Sequence, residues 1–250
     1  MVGISSMNLI DVSSIVANIM VADSLRSTRL TEQKSAQDAQ ISAYQALNTS
    51  MLAVQDAAEA ITESVPTDAS VMKSAVSSLV SALNASLALI KEQVSASGAL
   101  DTDYTPRDLS QRLLGTAWDS NTLASLADAG VELTRVGTFT FNEAKLGTAL
   151  AGASAATIVG EVAAFASRVE SVASAATSVT GTISREINTR QARVSDLSVA
   201  ITDLAVALAR REESLTIYYS EINARIQALQ NQQNYLKAQL TVFTDALSQR

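Results

Sequence analysis

A chain of 250 residues that is 47% hydrophobic but only 4% aromatic, with 9 Gly and 2 Pro, has the composition of long helices packed through small side chains, not of a β-sandwich or barrel. It has neither cysteine nor histidine, which excludes disulfides, thiolate nucleophiles, His-based catalysis and the usual zinc sites. The net charge is −7 and no basic run occurs, so a nucleic-acid footprint is not expected.

The first residues, MVGISSMNLIDVSSIVANIM, are apolar, but they carry no Lys or Arg before Arg26 and are interrupted by Asp11. A secretory signal needs a positive start and an unbroken apolar core, so that reading is rejected. From Ile41 a seam emerges: Ile41, Tyr44, Leu47, Met51, Val54, Ala58, Ile61 and Val65. Its alternating steps of three and four are those of a supercoiled helix. Upstream, Leu25 and Leu30 continue the seam weakly, while Lys34 and Gln37 fall on it. The pattern breaks near Pro66, and Thr67 or Asp68 reads as the N-cap of a second helix over 69–95. Residues 74–90 are uncharged, yet the run is short for a membrane span and rich in Ser and Asn; it reads as a buried amphipathic helix, with no membrane implied.

Gly98 opens a region richer in Gly, Asp and Thr. Thr105-Pro106-Arg107-Asp108 reads as N-cap, proline at the first helical position and an acid at the third. A short helix follows through Leu109, Leu113 and Leu114. VELTRVGTFTF (131–141) alternates on both sides of a turn containing Gly137, a β-hairpin, and Asn142 is placed to cap the helix after it. Residues 153–180 are helical and rich in Ala, Ser and Val, and Gly181 marks a break. Beyond it runs a second seam: Ile183, Ile187, Val194, Leu197, Ile201, Leu204, Leu208, Leu215, Ile222, Ile226, Leu229, Leu236, Leu240, Phe243 and Leu247. Tyr218, Ile222 and Ile226 give two steps of four in succession, a stutter that locally unwinds a supercoil. A continuous helix here would be about 95 Å long at ~1.5 Å per residue. Near its end the seam meets QNQQN, with Gln233 at a seam position; a polar residue there lowers stability while fixing register.

The expected fold is mainly α: a long antiparallel coiled-coil leg formed by both chain ends, with a small α+β head containing one hairpin. The expected segments are a terminal leg over 1–45, stalk helices over 46–97, the head over 98–180, a returning stalk helix over 181–204 and a second leg over 205–250.

Catalytic constellations are absent from the sequence: there is no GxxxxGK[ST], no GxGxxG after a strand, no HExxH and no GxSxG. Asp101 and Asp103 resemble the start of an acidic calcium loop, but the downstream glycine and glutamate are missing, and a solvated turn is the simpler reading. Arg210, Arg211, Glu212 and Glu213 read as a solvated helix face. Trp118 reads as the core anchor of the head. No enzyme activity and no cofactor are expected. Two long amphipathic legs instead call for partners, the simplest being copies of the same chain.

Four segments in order carry a resemblance. IDVSSIVANIMVAD (10–23) followed by ISAYQALNTSMLAVQDAAEAI (41–61) resembles the N-terminal segment of the bacterial flagellar filament cap family, hook-associated protein 2. Residues 180–240, closing on the amide run, Tyr-Leu and Gln-Leu, look like that family's C-terminal segment. SLADAGVELTRVGTFTFNEAKLGTAL (125–150) is similar to its hairpin and following helix, and GALDTDYTPRDLSQRL (98–113) to the piece before it. Members usually carry β-rich domains between the first two long helices. Here ITESV passes through PTDASV directly into helix, so functions assigned to those domains are not carried over.

The resemblance implies a structural, non-enzymatic protein exported unfolded by the flagellar type III route and placed extracellularly at the filament's distal tip. It implies a cyclic homo-oligomer, commonly a pentamer, that helps flagellin fold and insert. Flagellin, hook–filament junction proteins and an export chaperone are the implied partners. Contacts are expected from Ile10, Ile15, Ile41, Tyr44, Leu47, Met51 and Val54, and from Ile222, Ile226, Leu229, Gln233, Tyr235, Leu236 and Leu240. Another secreted axial component, or a cytosolic coiled-coil scaffold, is the alternative.

Overall fold

The computed structural model describes residues 11–63, 65–66, 68–117 and 123–248, with the side chains of 123–125 and 245–248 left aside. Trp118, Ile10 and Thr67 lie outside the described residues. The fold is mainly α with one two-stranded antiparallel sheet among the described residues. Helices α1 (Val12–Thr62), α2 (Ala69–Gln93), α3 (Thr105–Gly115) and α4 (Leu123–Asp128) precede strands β1 (Val131–Leu133) and β2 (Phe139–Phe141); α5 (Glu143–Ala151), α6 (Ala155–Thr177) and α7 (Thr182–Ser248) follow. Two compact units form: one from residues 1–33 with 196–250, the other from 34–195, with α1 and α7 contributing to both.

In the 34–195 unit the heptad seam of α1 is the centre of the core. Tyr44, Met51, Val54, Ala58 and Ile61 are fully buried, and Leu47 is 1% exposed. Met72, Leu79 and Leu83 of α2, Leu113 of α3 and Phe165 and Val169 of α6 belong to the same cluster as the hairpin's Val131 and Phe139. The segments expected as stalk and head thus share one core. A two-helix stalk buries too little apolar surface by itself, and here α2 packs under the hairpin and brings its share into a larger core. Among the described residues α2 is the one helix long and apolar enough to cross a membrane, but its apolar face, from Met72 to Ile90, lies in this core.

Helix boundaries follow local chemistry. Asp68 caps α2: its Oδ1 accepts from the amides of Ser70 at 2.7 Å and Val71 at 3.3 Å. The Ser70 hydroxyl and these amides hold the Asp68 carboxyl below its ordinary pKa of 3.8. Its contribution is therefore complete above that value and is lost as pH falls through the lower folded value. The protection of the Ser70 and Val71 amides, measured by NMR as exchange relative to the intrinsic rate at each pH, is expected to fall on acidification through that range. Asn142 caps α5, its Oδ1 accepting from Lys145 N at 3.0 Å. Asn142→Ala is expected to cost about 1 kcal/mol, read from a denaturant midpoint.

The start of α3 differs from expectation. Thr105 is already helical; Tyr104 is the N-cap and makes no side-chain cap, while Asp103 Oδ1 accepts from Thr105 N at 3.0 Å. The carboxylate reaches further than the threonine hydroxyl and takes the capping role from two residues upstream.

The hairpin pairs Val131 with Phe141 and Leu133 with Phe139. Thr134 N donates to Thr138 O at 2.8 Å, and Gly137 adopts φ +78° in the turn. The sheet edge is completed by a side chain: Asn84 of α2 donates to Phe139 O at 2.7 Å and accepts from Phe139 N at 2.8 Å. One amide thus supplies both bonds that a third strand would make to Phe139. Gly181 separates α6 from α7; a Cβ there would stand 2.3 Å from Ala176 O, so the chain can turn this tightly only without a side chain.

In the other unit, the start of α1 runs antiparallel to α7. A groove of about 610 Å³ is lined by Asp11, Val16 and Met20 from one helix and Glu212, Thr216 and Asn223 from the other. Val16 is 4% exposed, Ile15 is half-buried, and Leu25 points outward at 54% exposure. The expected continuation of the seam through Leu25 is therefore corrected. The half-buried positions are Asp23, Ser27 and Leu30, which hold the three–four spacing that Leu25 breaks.

Candidate interaction surface

Two arrangements concentrate chemistry: a buried polar cluster in the 34–195 unit and an exposed apolar row at the end of α7.

The cluster joins α1, the loop before α3 and the start of α7. Arg190 lies on the α7 seam between Ile187 and Val194, and it is 9% exposed. Its Nη2 meets Asp103 Oδ2 at 2.6 Å, its Nε donates to Gln40 Oε1 at 3.1 Å, and its Nη1 pairs with Glu186. The guanidinium stacks 4.7 Å from the centroid of the Tyr44 ring, a cation–π contact in a largely buried site. The Tyr44 hydroxyl donates to the same Asp103 Oδ2 at 2.7 Å. Burial, then this bond and the neighbouring carboxylate charge, push the Tyr44 pKa well above its ordinary value, so the phenol stays a donor.

Asp103 is thus not part of a solvated turn. Its side chain is only 15% exposed, and it joins Tyr44, 59 positions before it, to Arg190, 87 positions after it. Sequence reading missed both Asp103 and Arg190. The available signal was Arg190 itself, which occupies the seam position between Ile187 and Val194; a cation in such a position needs a buried partner. Among the described residues no group of three or more carboxylates is placed to hold a metal ion.

Residues expected to make intermolecular contacts fall into three sets. Tyr44, Leu47, Met51 and Val54 are in the chain's own core and have no surface to offer. Ile15, Ile41, Ile222, Ile226 and Gln233 are half-buried. Leu229 (57% exposed), Tyr235 (64%), Leu236 (60%) and Leu240 (67%) are open to solvent, joined by Val242 and Phe243. The α7 seam therefore changes character along its length. From Ile201 to Ile226 its residues are partly covered; from Tyr235 onward every described side chain is exposed. Leu229, Leu236, Leu240 and Phe243 lie on one face by their three–four spacing, an exposed apolar row.

The expected stutter runs through Tyr218, Ile222 and Ile226, and Tyr218 is not on the covered face. Tyr219, not Tyr218, is the half-buried tyrosine, and Tyr218 is 58% exposed with its ring edge-on to Tyr219 at 5.3 Å. Covered positions then run through Ile222, Asn223, Ile226, Gln230 and Gln233. Arg211 does not belong to a purely solvated face either: its Nε lies 2.9 Å from Asp23 Oδ2 of α1.

No curated protein matches the chain. The family model of the flagellar hook-associated protein 2 C-terminus matches residues 42–231, which span the α1 seam, the core unit with its hairpin, and α7 up to the amide run. With the mainly-α fold and the single hairpin in their expected order, that match shows that the chain belongs to the flagellar hook-associated protein 2 family, the filament-cap type of flagellar structural protein.

Proposed function

We propose that this protein caps the distal end of the flagellar filament and promotes folding and insertion of incoming flagellin, acting as a small closed ring of its own copies, a pentamer. The observation that carries the reading is the exposed row Leu229, Leu236, Leu240 and Phe243. It lies at the end of a helix whose earlier seam is partly covered, in a chain of the cap family. Such a row gives apolar contact to a filament end or a neighbouring subunit without any covalent step. By this reading the chain travels through the flagellar export apparatus and meets an export chaperone, junction proteins and flagellin in turn. The role is mechanical: a ring with fewer subunits than the filament has protofilaments leaves one gap at a time.

Electron microscopy of purified protein tests this. Small closed rings, also seen on filament tips, are expected; long open polymers would instead indicate a junction protein or filament subunit. Deleting the gene is expected to abolish filaments and release monomeric flagellin into the medium.

The amide run belongs to the same picture. Gln233 is half-buried on the row, where leucine would tighten any helix laid against it. Gln233→Leu is expected to raise the affinity of the leg for its contacts and slow filament growth several-fold, measured as filament length against time. Unchanged growth would show that the amides are merely tolerated.

A further inference from the structure

Helix α7 carries a second stripe on the face opposite its seam. Residues 199, 203, 206, 210, 213, 217, 220 and 224 follow unbroken steps of four and three, and all eight are exposed. Val199 (59% exposed), Val206 (46%), Ile217 (55%) and Ala224 supply its apolar positions, with Arg210 and Glu213 at the centre. A heptad-spaced stripe of four apolar and four polar positions, with two opposite charges at its middle, is a seam with no occupant among the described residues.

The charges select the occupant and its direction. Laid against itself in parallel, the stripe would face Arg210 with Arg210 and Glu213 with Glu213, both repulsive. Laid antiparallel about the midpoint between Arg210 and Glu213, it is self-complementary. Val206 meets Ile217, Val199 meets Ala224, Asp203 meets Ser220, and Arg210 meets Glu213, each layer occurring twice. Sliding one heptad one way sets Asp203 against Glu213; sliding it the other way sets Glu213 against Ile217. We propose that this outer face of α7 pairs antiparallel with the same face of a second copy, with Arg210 and Glu213 bridging reciprocally across the two-fold axis. The pairing is isologous, so it joins copies two by two and is distinct from closure of a cyclic ring; it does not rest on the cap reading.

The chain has no cysteine, so introduced thiols report the register in the full-length protein. Val206→Cys combined with Ile217→Cys is expected to yield, on mild oxidation at micromolar concentration, at least ten times more covalent dimer than either single variant. In the proposed register two copies of residue 206 lie roughly 16 Å apart along the axis at ~1.5 Å per residue, beyond disulfide reach. Arg210→Glu and Glu213→Arg are each expected to weaken pairing at least tenfold in sedimentation equilibrium. Together they are expected to restore it. Equal cross-linking by the single variants, failure of the charge swap to recover pairing, or no link at all in the pure protein overturns the proposal; the last result would assign the stripe to a different protein. Rings seen in the same sample without cross-links overturn only this pairing, and cross-links without rings overturn only the cap reading.

Discussion

Arg190→Ala is expected to lower the stability of the 34–195 unit by ~3–5 kcal/mol, the cost typical of removing one partner from a buried ion pair. The reason is what remains behind. Asp103, 15% exposed at its side chain, would keep only the Tyr44 hydroxyl and the Thr105 amide, while Glu186 and Gln40 would lose their donor. The Tyr44 ring would also lose the guanidinium stacked on it. A fall in melting temperature on the order of 10 °C follows, read by circular dichroism. Arg112→Ala is the control: its pair with Asp108 is exposed and 4.0 Å long, so a change below about 0.5 kcal/mol is expected. The double variant Asp103→Asn with Arg190→Met should lose much less than the sum of its single changes, because no unpaired charge is left buried. If Arg190→Ala unfolds at the parent's midpoint, the cluster is not a structural lock.

Phe165→Ala is expected to cost ~3–5 kcal/mol by opening a cavity at the centre of the same core. Phe165 is 1% exposed and packs tilted against Phe139 of β2, with ring centroids 5.8 Å apart. Its loss removes the floor beneath a hairpin of two three-residue strands, too short to be stable without packing. Besides the lowered denaturant midpoint, faster amide exchange at Phe139 and Phe141 is therefore expected. The effect should exceed that of any substitution along the exposed face of α7, such as Leu240→Ala, where no cavity forms. Equal losses at Phe165 and Leu240 would refute this placing of the core.

Local features were legible in the sequence because their causes are local. Asp68 and Asn142 cap helices since a short acceptor side chain followed by helix formers satisfies the first free amides. Gly137 made the hairpin turn readable, and Gly181 the break between α6 and α7. The three–four spacing from Tyr44 to Ile61 marked the face that becomes the core. It could not say whether that face would meet this chain or another, since a heptad seam is the same signal in both cases. The family resemblance rested on the order of such segments, and residues 42–231 bear it out.

What the sequence determined by itself was the class of the protein: helical, without cysteine or histidine, seamed at both ends, with one hairpin and an ordered set of family segments. Tertiary structure decided which polar residues matter. Asp103 read as part of a solvated turn and Arg190 was passed over, because their partners on α1 lie 59 and 150 positions away. It also decided which apolar residues remain available. Tyr44, Leu47, Met51 and Val54 close inside the fold, whereas Leu229, Leu236 and Leu240, with the same spacing, stay open. Periodicity records that a face is apolar; only the packed chain determines whether anything of its own is left to cover it.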